Sequence, residues 1–374
     1  MYYFQTRFYK FKFGIKIHSL LSIIIIYSFI IQSCVSTEKF IKEEDKVQIY
    51  KTTNIGGVPQ AIYIRGKNLN NPVLLFLHGG PGYPFFPFLA QKKVFSKLEK
   101  HFTIVYWEQR GTGKSYSKHI PPESMNVQQF ISDTKEVITY SLAQLNKEKL
   151  FLWGHSWGSS IGAMYASRYP EMLYAYISTG QSVNPIKNEQ LGYEFVEQKA
   201  FETNNLKALQ QLAGIDTTVA NYKLADALIL RKWIYQYGGI VQQTEYERPY
   251  IDYHDIWLIL TTPMYSVKDK ISIVRNPYFS AQHLWGDLKK MNLTKDAYQI
   301  DVPVFFIVGR WDIIVHHLLA EEYFKTLIAP SGKTLYWFEE SAHRPFVEEK
   351  DKFFEIFINE IRPIYENPQE LKSQ

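Results

Sequence analysis

A single cysteine, Cys34, in 374 residues excludes any disulfide within the chain, so no crosslinked scaffold accounts for its fold. Zinc spacings of the H-E-x-x-H or paired C-x-x-C kind are missing too, and neither a metal nor another cofactor is indicated. There is no internal repeat, no low-complexity tract, and no basic stripe or recognition motif for nucleic acid. What is present is the composition of a globular protein with a large core: 46% hydrophobic, 16% aromatic and 21% charged residues.

The formal charge of +5 is misleading. Arg7, Lys10, Lys12 and Lys16 precede residue 34 and no acidic residue does, so the remainder holds 38 basic against 37 acidic residues. The basic start is followed by an apolar run from Leu20 to Ile31, the length of a signal-peptide core and short for a membrane span. Ile31-Gln32-Ser33-Cys34 resembles a bacterial lipoprotein signal, in which the cysteine is lipidated and becomes the new N-terminus. Residues 1–33 are therefore expected to be a signal peptide or N-terminal anchor. Residues 34–50, polar and charged, would be a tether, and the protein would be exported and membrane-anchored.

From Lys51 onward, short apolar runs alternate with stretches of helical pattern. The runs are Ala61 to Ile64, Val73 to Leu77, Phe102 to Trp107, Leu150 to Trp153, Tyr174 to Ser178, Val304 to Val308 and Thr334 to Phe338. Helices are expected near 87–99, 126–145, 157–168 and 346–361. Such alternation predicts an α/β fold, a mainly parallel sheet flanked by helices. The rhythm stops between about 181 and 300, which reads as a helical lid inserted between a first core segment, 51–180, and a second, 301–374.

Gly154-His155-Ser156-Trp157-Gly158 fits G-x-S-x-G between a strand-like run and a helical stretch, the context of a nucleophile elbow. A serine hydroxyl needs a base to take its proton, and the base needs a carboxylate to fix its tautomer. Two later runs end in suitable loops: Gly309-Arg310-Trp311-Asp312 and Glu339-Glu340-Ser341-Ala342-His343. The order serine, acid, histidine is that of α/β hydrolases, which makes Ser156, Asp312 and His343 the candidate triad. His316 and His317 fall in a helical stretch, and Glu339 and Glu340 read as rim charges. His78-Gly79-Gly80-Pro81-Gly82 supplies a glycine-rich loop, so the oxyanion would meet the amides of Trp157 and Gly80, with Gly79 as the lesser candidate and His78 holding the loop. Gly111-Thr112-Gly113-Lys114-Ser115 imitates the end of a phosphate-binding loop, but position 108 is Glu where that motif needs glycine.

His78 to Gly82, Trp107-Glu108-Gln109-Arg110-Gly111 and Gly154 to Ser159 together resemble the proline iminopeptidase family of α/β hydrolases, over roughly residues 50–362. The resemblance implies release of an N-terminal residue, often proline, from small peptides or amino-acyl amides, with lid carboxylates holding the free amine. Glu194, Glu197, Glu202, Glu245 and Glu247 are available for that role. Glu108 stands where aspartate is usual, and His155 where proline-specific members commonly have glycine; relatives with this histidine include esterases, amidases and lactone hydrolases. Lid aromatics such as Trp233, Tyr235, Tyr237, Tyr250, Tyr253 and Trp257 would either form an apolar pocket or pack the lid together. A carboxylesterase or lactone hydrolase is the alternative activity, and a non-catalytic ligand-binding homologue the alternative of another class.

Overall fold

The computed structural model describes residues 47–89, 95–241, 253–273 and 276–366. Cys34 and the whole leader lie outside the described residues, as do Glu245, Glu247 and Tyr250. Thr37–Gln374 forms one compact unit that carries all the strands.

The strands are β1 (Val47–Ile55), β2 (Val58–Gly66), β3 (Val73–Leu77), β4 (Thr103–Glu108), β5 (Leu150–His155), β6 (Leu173–Thr179), β7 (Val304–Gly309) and β8 (Lys333–Phe338). They form one sheet in the order β1-β2-β4-β3-β5-β6-β7-β8. β2 runs antiparallel to both its neighbours, and every pairing from β4 to β8 is parallel. Seven strands coincide with the apolar runs, because strands covered on both faces need apolar side chains at every position. β3, β4, β5 and β7 are buried along their full length.

Successive residues face opposite layers. In β5, Leu150 and Leu152 join one apolar cluster with Phe130, Ile131 and Ile161, while Phe151 and Trp153 join the other with Phe95, Phe353 and Phe357. The first cluster is covered by α1 (Val127–Leu145) and α2 (Trp157–Arg168). Asn126 caps α1 by accepting from the Gln129 amide at 2.9 Å, and Asn146 ends it in a left-handed turn at φ 50°.

Two expectations need correction. β1 begins at Val47, so the last four residues of the expected 34–50 tether are strand. As an edge strand it buries only Val47 and Ile55, and its polar residues face water. The helix expected at 346–361 is broken into Pro345–Glu348, Lys350–Ile356 and a π turn at Phe357–Ile361.

Between β6 and β7 lie α3 (Pro185–Glu202), α4 (Leu206–Leu212), α5 (Leu224–Gln236), α6 (Tyr253–Thr261), α7 (Val267–Ser272) and α8 (Asn276–Leu288). α3 starts where sequence chemistry favours it: Asn184 accepts from the Lys187 amide at 3.1 Å and Pro185 takes the first helical position. Val196, Ala200, Leu212, Leu230, Trp233 and Ile234 give this segment an apolar core of its own.

Candidate active site

β5 runs straight into Ser156, whose backbone sits at φ 55°, ψ −123°, a conformation rare outside glycine and costing about 1–3 kcal/mol. The turn is possible only because its neighbours have no side chains. A Cβ on Gly154 would lie 2.5 Å from the Gly158 carbonyl oxygen, and one on Gly158 would lie 2.1 Å from that of Leu77. α2 begins at Trp157, so the amides of its first turn lack intrahelical acceptors and face the space above the sheet.

Asp312 and His343 come from the loops after β7 and β8. Arg310 N donates to Phe338 O at 2.9 Å and Trp311 N to Ser341 O at 3.0 Å, which locks the two loops side by side. His343 Nδ1 lies 2.8 Å from Asp312 Oδ2, while the other carboxylate oxygen accepts from the Val315 amide at 2.9 Å. Asp312 is 1% exposed and His343 7%, so solvent screens their pairing little. Gly180, after β6, makes room for both: a Cβ there would lie 2.9 Å from His343 Nδ1 and 3.2 Å from Asp312 Oδ2. His343 and Ser156 line the same cavity. His317 meets only the Asp312 main-chain carbonyl, at 3.2 Å, and Glu339 is taken by Arg310 at the rim.

His78 and the WEQRG stretch form a buried knot beneath this site. The Gln109 amide donates to His78 Nε2 at 3.1 Å, which leaves the ring proton on Nδ1, 2.7 Å from Gly79 O. Burial pushes His78 down to about 4, consistent with a neutral ring. Gln109 also donates to His78 O at 2.9 Å and accepts from Trp157 Nε1 at 2.9 Å. One glutamine thus ties the glycine loop to the residue after Ser156. Arg110 is fully buried and binds Asp133 through Nε at 2.8 Å and Nη2 at 2.9 Å, and donates to Gly56 O at 2.8 Å. Glu108 accepts from Tyr265 of the lid and from the Lys114 amide at 2.7 Å; burial raises it to about 7. Lys114 pairs with Asp269 at 2.9 Å, so the phosphate-loop look-alike serves as a lid anchor.

A cavity of about 700 Å³ opens over Ser156. Gly79, Gly80, Trp157, His155 and His343 form its polar floor, and Tyr83, Phe85, Phe88, Trp285, Leu288 and Phe346 its apolar walls. His155 stacks beside His343 with ring centroids 4.7 Å apart, and its Nδ1 reaches Thr179 O at 3.3 Å. Burial, then repulsion from His343, holds His155 well below its ordinary range.

Two carboxylates among the described residues line the cavity, and sequence reading missed both: Glu189 on α3 and Glu348. Glu189, 2% exposed, accepts from Tyr222 Oη at 2.5 Å and from both Arg231 Nη groups, one at 2.9 Å. Glu348 accepts the amides of Ala342 at 3.1 Å and Arg344 at 2.9 Å. Glu194, Glu197 and Glu202 lie farther along α3 and do not line the cavity; Glu202 pairs with Lys199 at 2.7 Å. Of the lid aromatics, Trp233 is buried within the lid and stacks on Tyr237 at 6.0 Å, whereas Trp257 is exposed. Among the described residues no group of three or more His, Cys, Asp or Glu side chains is placed to hold a metal ion.

Comparison with known proteins agrees with this geometry. The family model for the alpha/beta hydrolase fold matches residues 72–350. The probable aminopeptidase YbaC of Bacillus subtilis strain 168 is 33% identical over 84% of this chain and 96% of its own length. The chain belongs to the α/β-hydrolase fold family, in its proline iminopeptidase-like branch. A proline iminopeptidase of Heyndrickxia coagulans is 25% identical to this α/β hydrolase over 79% of its chain and 93% of the relative. The structure of a proline iminopeptidase from Mycobacterium smegmatis shares its fold, with a TM-score of 0.60 at 17% identity over 83% of this chain and 96% of that one.

Proposed function

We propose that this hydrolase uses Ser156 as nucleophile, His343 as base and Asp312 as the acid that orients the base. The observation that carries the reading is the 2.8 Å contact between buried Asp312 and His343 Nδ1 in a cavity that also holds Ser156 on its positive-φ turn. With Nδ1–H committed to Asp312, Nε2 accepts the Ser156 proton as Oγ bonds to the substrate carbonyl carbon. The Trp157 and Gly80 amides receive the oxyanion; each such donor is worth about 3 kcal/mol in the barrier. His343 then protonates the leaving amine, the acyl-enzyme forms, and water deprotonated by His343 releases the acid.

The substrate class we favour is a small peptide or amino-acyl amide cleaved after its N-terminal residue. The kinship with an aminopeptidase and proline iminopeptidases supports it. One observation favours ester or lactone hydrolysis instead: Glu189, the most buried carboxylate of the cavity, is already held by Arg231 and Tyr222. Amino-acyl arylamides assayed against N-blocked versions and simple esters separate the two, since turnover confined to blocked substrates or esters removes the peptidase reading. A fluorophosphonate probe tests the nucleophile, and an unlabelled Ser156 would return the protein to the non-catalytic class. We further propose export and lipid attachment at Cys34; mature protein that retains residues 1–33 would overturn it.

A further inference from the structure

Helices α6 and α7 send Leu258, Tyr265 and Ile273 inward, and Ile259 and Met264 pack against the apolar cluster that contains Phe86 and Phe95. A surface helix normally turns polar side chains to the other side. These two do not. Ile256, Trp257 (61% exposed) and Leu260 form an outward stripe on α6, and Val267 and Ile271 (66% exposed) form one on α7. Five of the seventeen exposed large apolar side chains among the described residues thus fall between positions 256 and 271. A patch of this kind on a folded protein marks a surface that something covers.

Its surroundings indicate what. Lys268 and Lys270 stand on α7, and Asp269 between them is neutralised by Lys114 at 2.9 Å, which leaves the short helix basic. Tryptophan and branched aliphatics beside lysine heads settle into the boundary between lipid headgroups and acyl chains. The length of the chain agrees: only residues 32–46 separate the apolar run that ends at Ile31 from the first strand, a reach of about 50 Å at full extension.

We propose that the exposed apolar face of α6 and α7 docks on an anionic phospholipid bilayer. The proposal shares the membrane setting of the Cys34 anchor, yet it concerns a separate contact. Helix α6 packs on the turn Phe86–Leu89, and Phe85 and Phe88 beside it line the cavity, so docking sets an aromatic wall of the site against the lipid.

The test is flotation of the Thr37–Gln374 chain and of its Trp257→Glu/Ile271→Glu double variant. The vesicles are of mixed phosphatidylglycerol and phosphatidylcholine, or of phosphatidylcholine alone. Expected are binding of the parent chain to the mixed vesicles, weaker binding to the neutral ones, and a drop of at least about tenfold in the double variant. The variant should react with a soluble fluorophosphonate at the parent's rate, which shows that it is folded. A parent chain that stays with the soluble fraction, or a double variant that floats equally well, overturns the proposal. So does a lipid-free dimer that the two substitutions split, since the face would then join two copies of the chain. The full-length chain separates this claim from the anchor. If it floats while Thr37–Gln374 does not, the face is wrong and the anchor stands; if Thr37–Gln374 floats and Cys34 carries no lipid, the anchor is wrong and the face stands.

Discussion

Replacing Asp312 by asparagine keeps the shape of the side chain and reverses the hydrogen-bonding sense of one atom. The native carboxylate accepts on both sides, from His343 Nδ1 at 2.8 Å and from the Val315 amide at 2.9 Å. An asparagine has one accepting oxygen. The Val315 N–H belongs to the backbone and cannot become an acceptor, so the oxygen remains there and the new NH₂ faces His343. Nδ1 must then accept, and the ring proton moves to Nε2, where the serine proton has to go. The flipped amide would restore the tautomer but aim a donor at the buried Val315 N–H, a mismatch worth about 1–3 kcal/mol. The expected result is a fall in kcat of about 10⁴, close to 5.5 kcal/mol in the barrier, with little change in thermal unfolding. Turnover of an amino-acyl arylamide, paired with a melting curve, measures both. A variant that is fully folded and keeps more than about a tenth of the parent rate would refute the proton line from Ser156 through His343 to Asp312.

Arg110→Ala leaves the Asp133 carboxylate buried with only Gln60 and Gln129 as side-chain partners, and should cost about 3–5 kcal/mol in urea unfolding. A loss under about 1 kcal/mol would show that the pair is not a structural tie. Glu108, ordinarily near 4.5, is raised to about 7, so the folded chain holds a proton there that the unfolded chain has released. Its contribution to stability is therefore fully present below about 4.5 and lost as pH rises through about 7, an effect on the order of 3 kcal/mol. Glu108→Gln should gain stability relative to the parent between about pH 5 and pH 8, and an unchanged difference across that interval contradicts the assignment. Gly158→Ala places a methyl group 2.1 Å from the Leu77 carbonyl oxygen, backbone against backbone. Labelling by a fluorophosphonate should disappear, and a variant labelled at the parent rate would mean that the turn tolerates a side chain.

The sheet was readable in the sequence where burial is continuous, as in Val73 to Leu77 or Val304 to Val308, because such runs have no other stable home. β1 was not readable, since its partner lies on one side only and its VQIYKTTNI pattern resembles a polar linker. The placement of Ser156, Asp312 and His343 at strand ends follows from local punctuation by glycine and turn residues, whereas the contact between two of them depends on the register of β7 with β8. Glu189 escaped notice because helical charges look alike in a sequence. The clue was the cap at Asn184 and Pro185: only the first turn of α3 approaches the sheet, and at about 1.5 Å per residue Glu202 lies roughly 20 Å farther along the axis. The purpose of the WEQRG stretch was equally hidden, for Gln109 acts through His78 and Trp157, 31 and 48 positions away.

β6 and β7 are hydrogen-bonded neighbours, from Tyr176 opposite Val304 to Thr179 opposite Ile307, although the entire roof of the cavity is threaded between them. The chain leaves the floor and rejoins it at a single seam, and the entropy of closing such an excursion grows only slowly with its length. The roof is therefore an exchangeable part, fastened by a few rivets such as Tyr265 on Glu108, Ser280 on Gly111 and Asp287 on Val127. A descendant could acquire a new roof, and with it a new diet, by rebuilding those fastenings alone while the proton machinery beneath kept its dimensions.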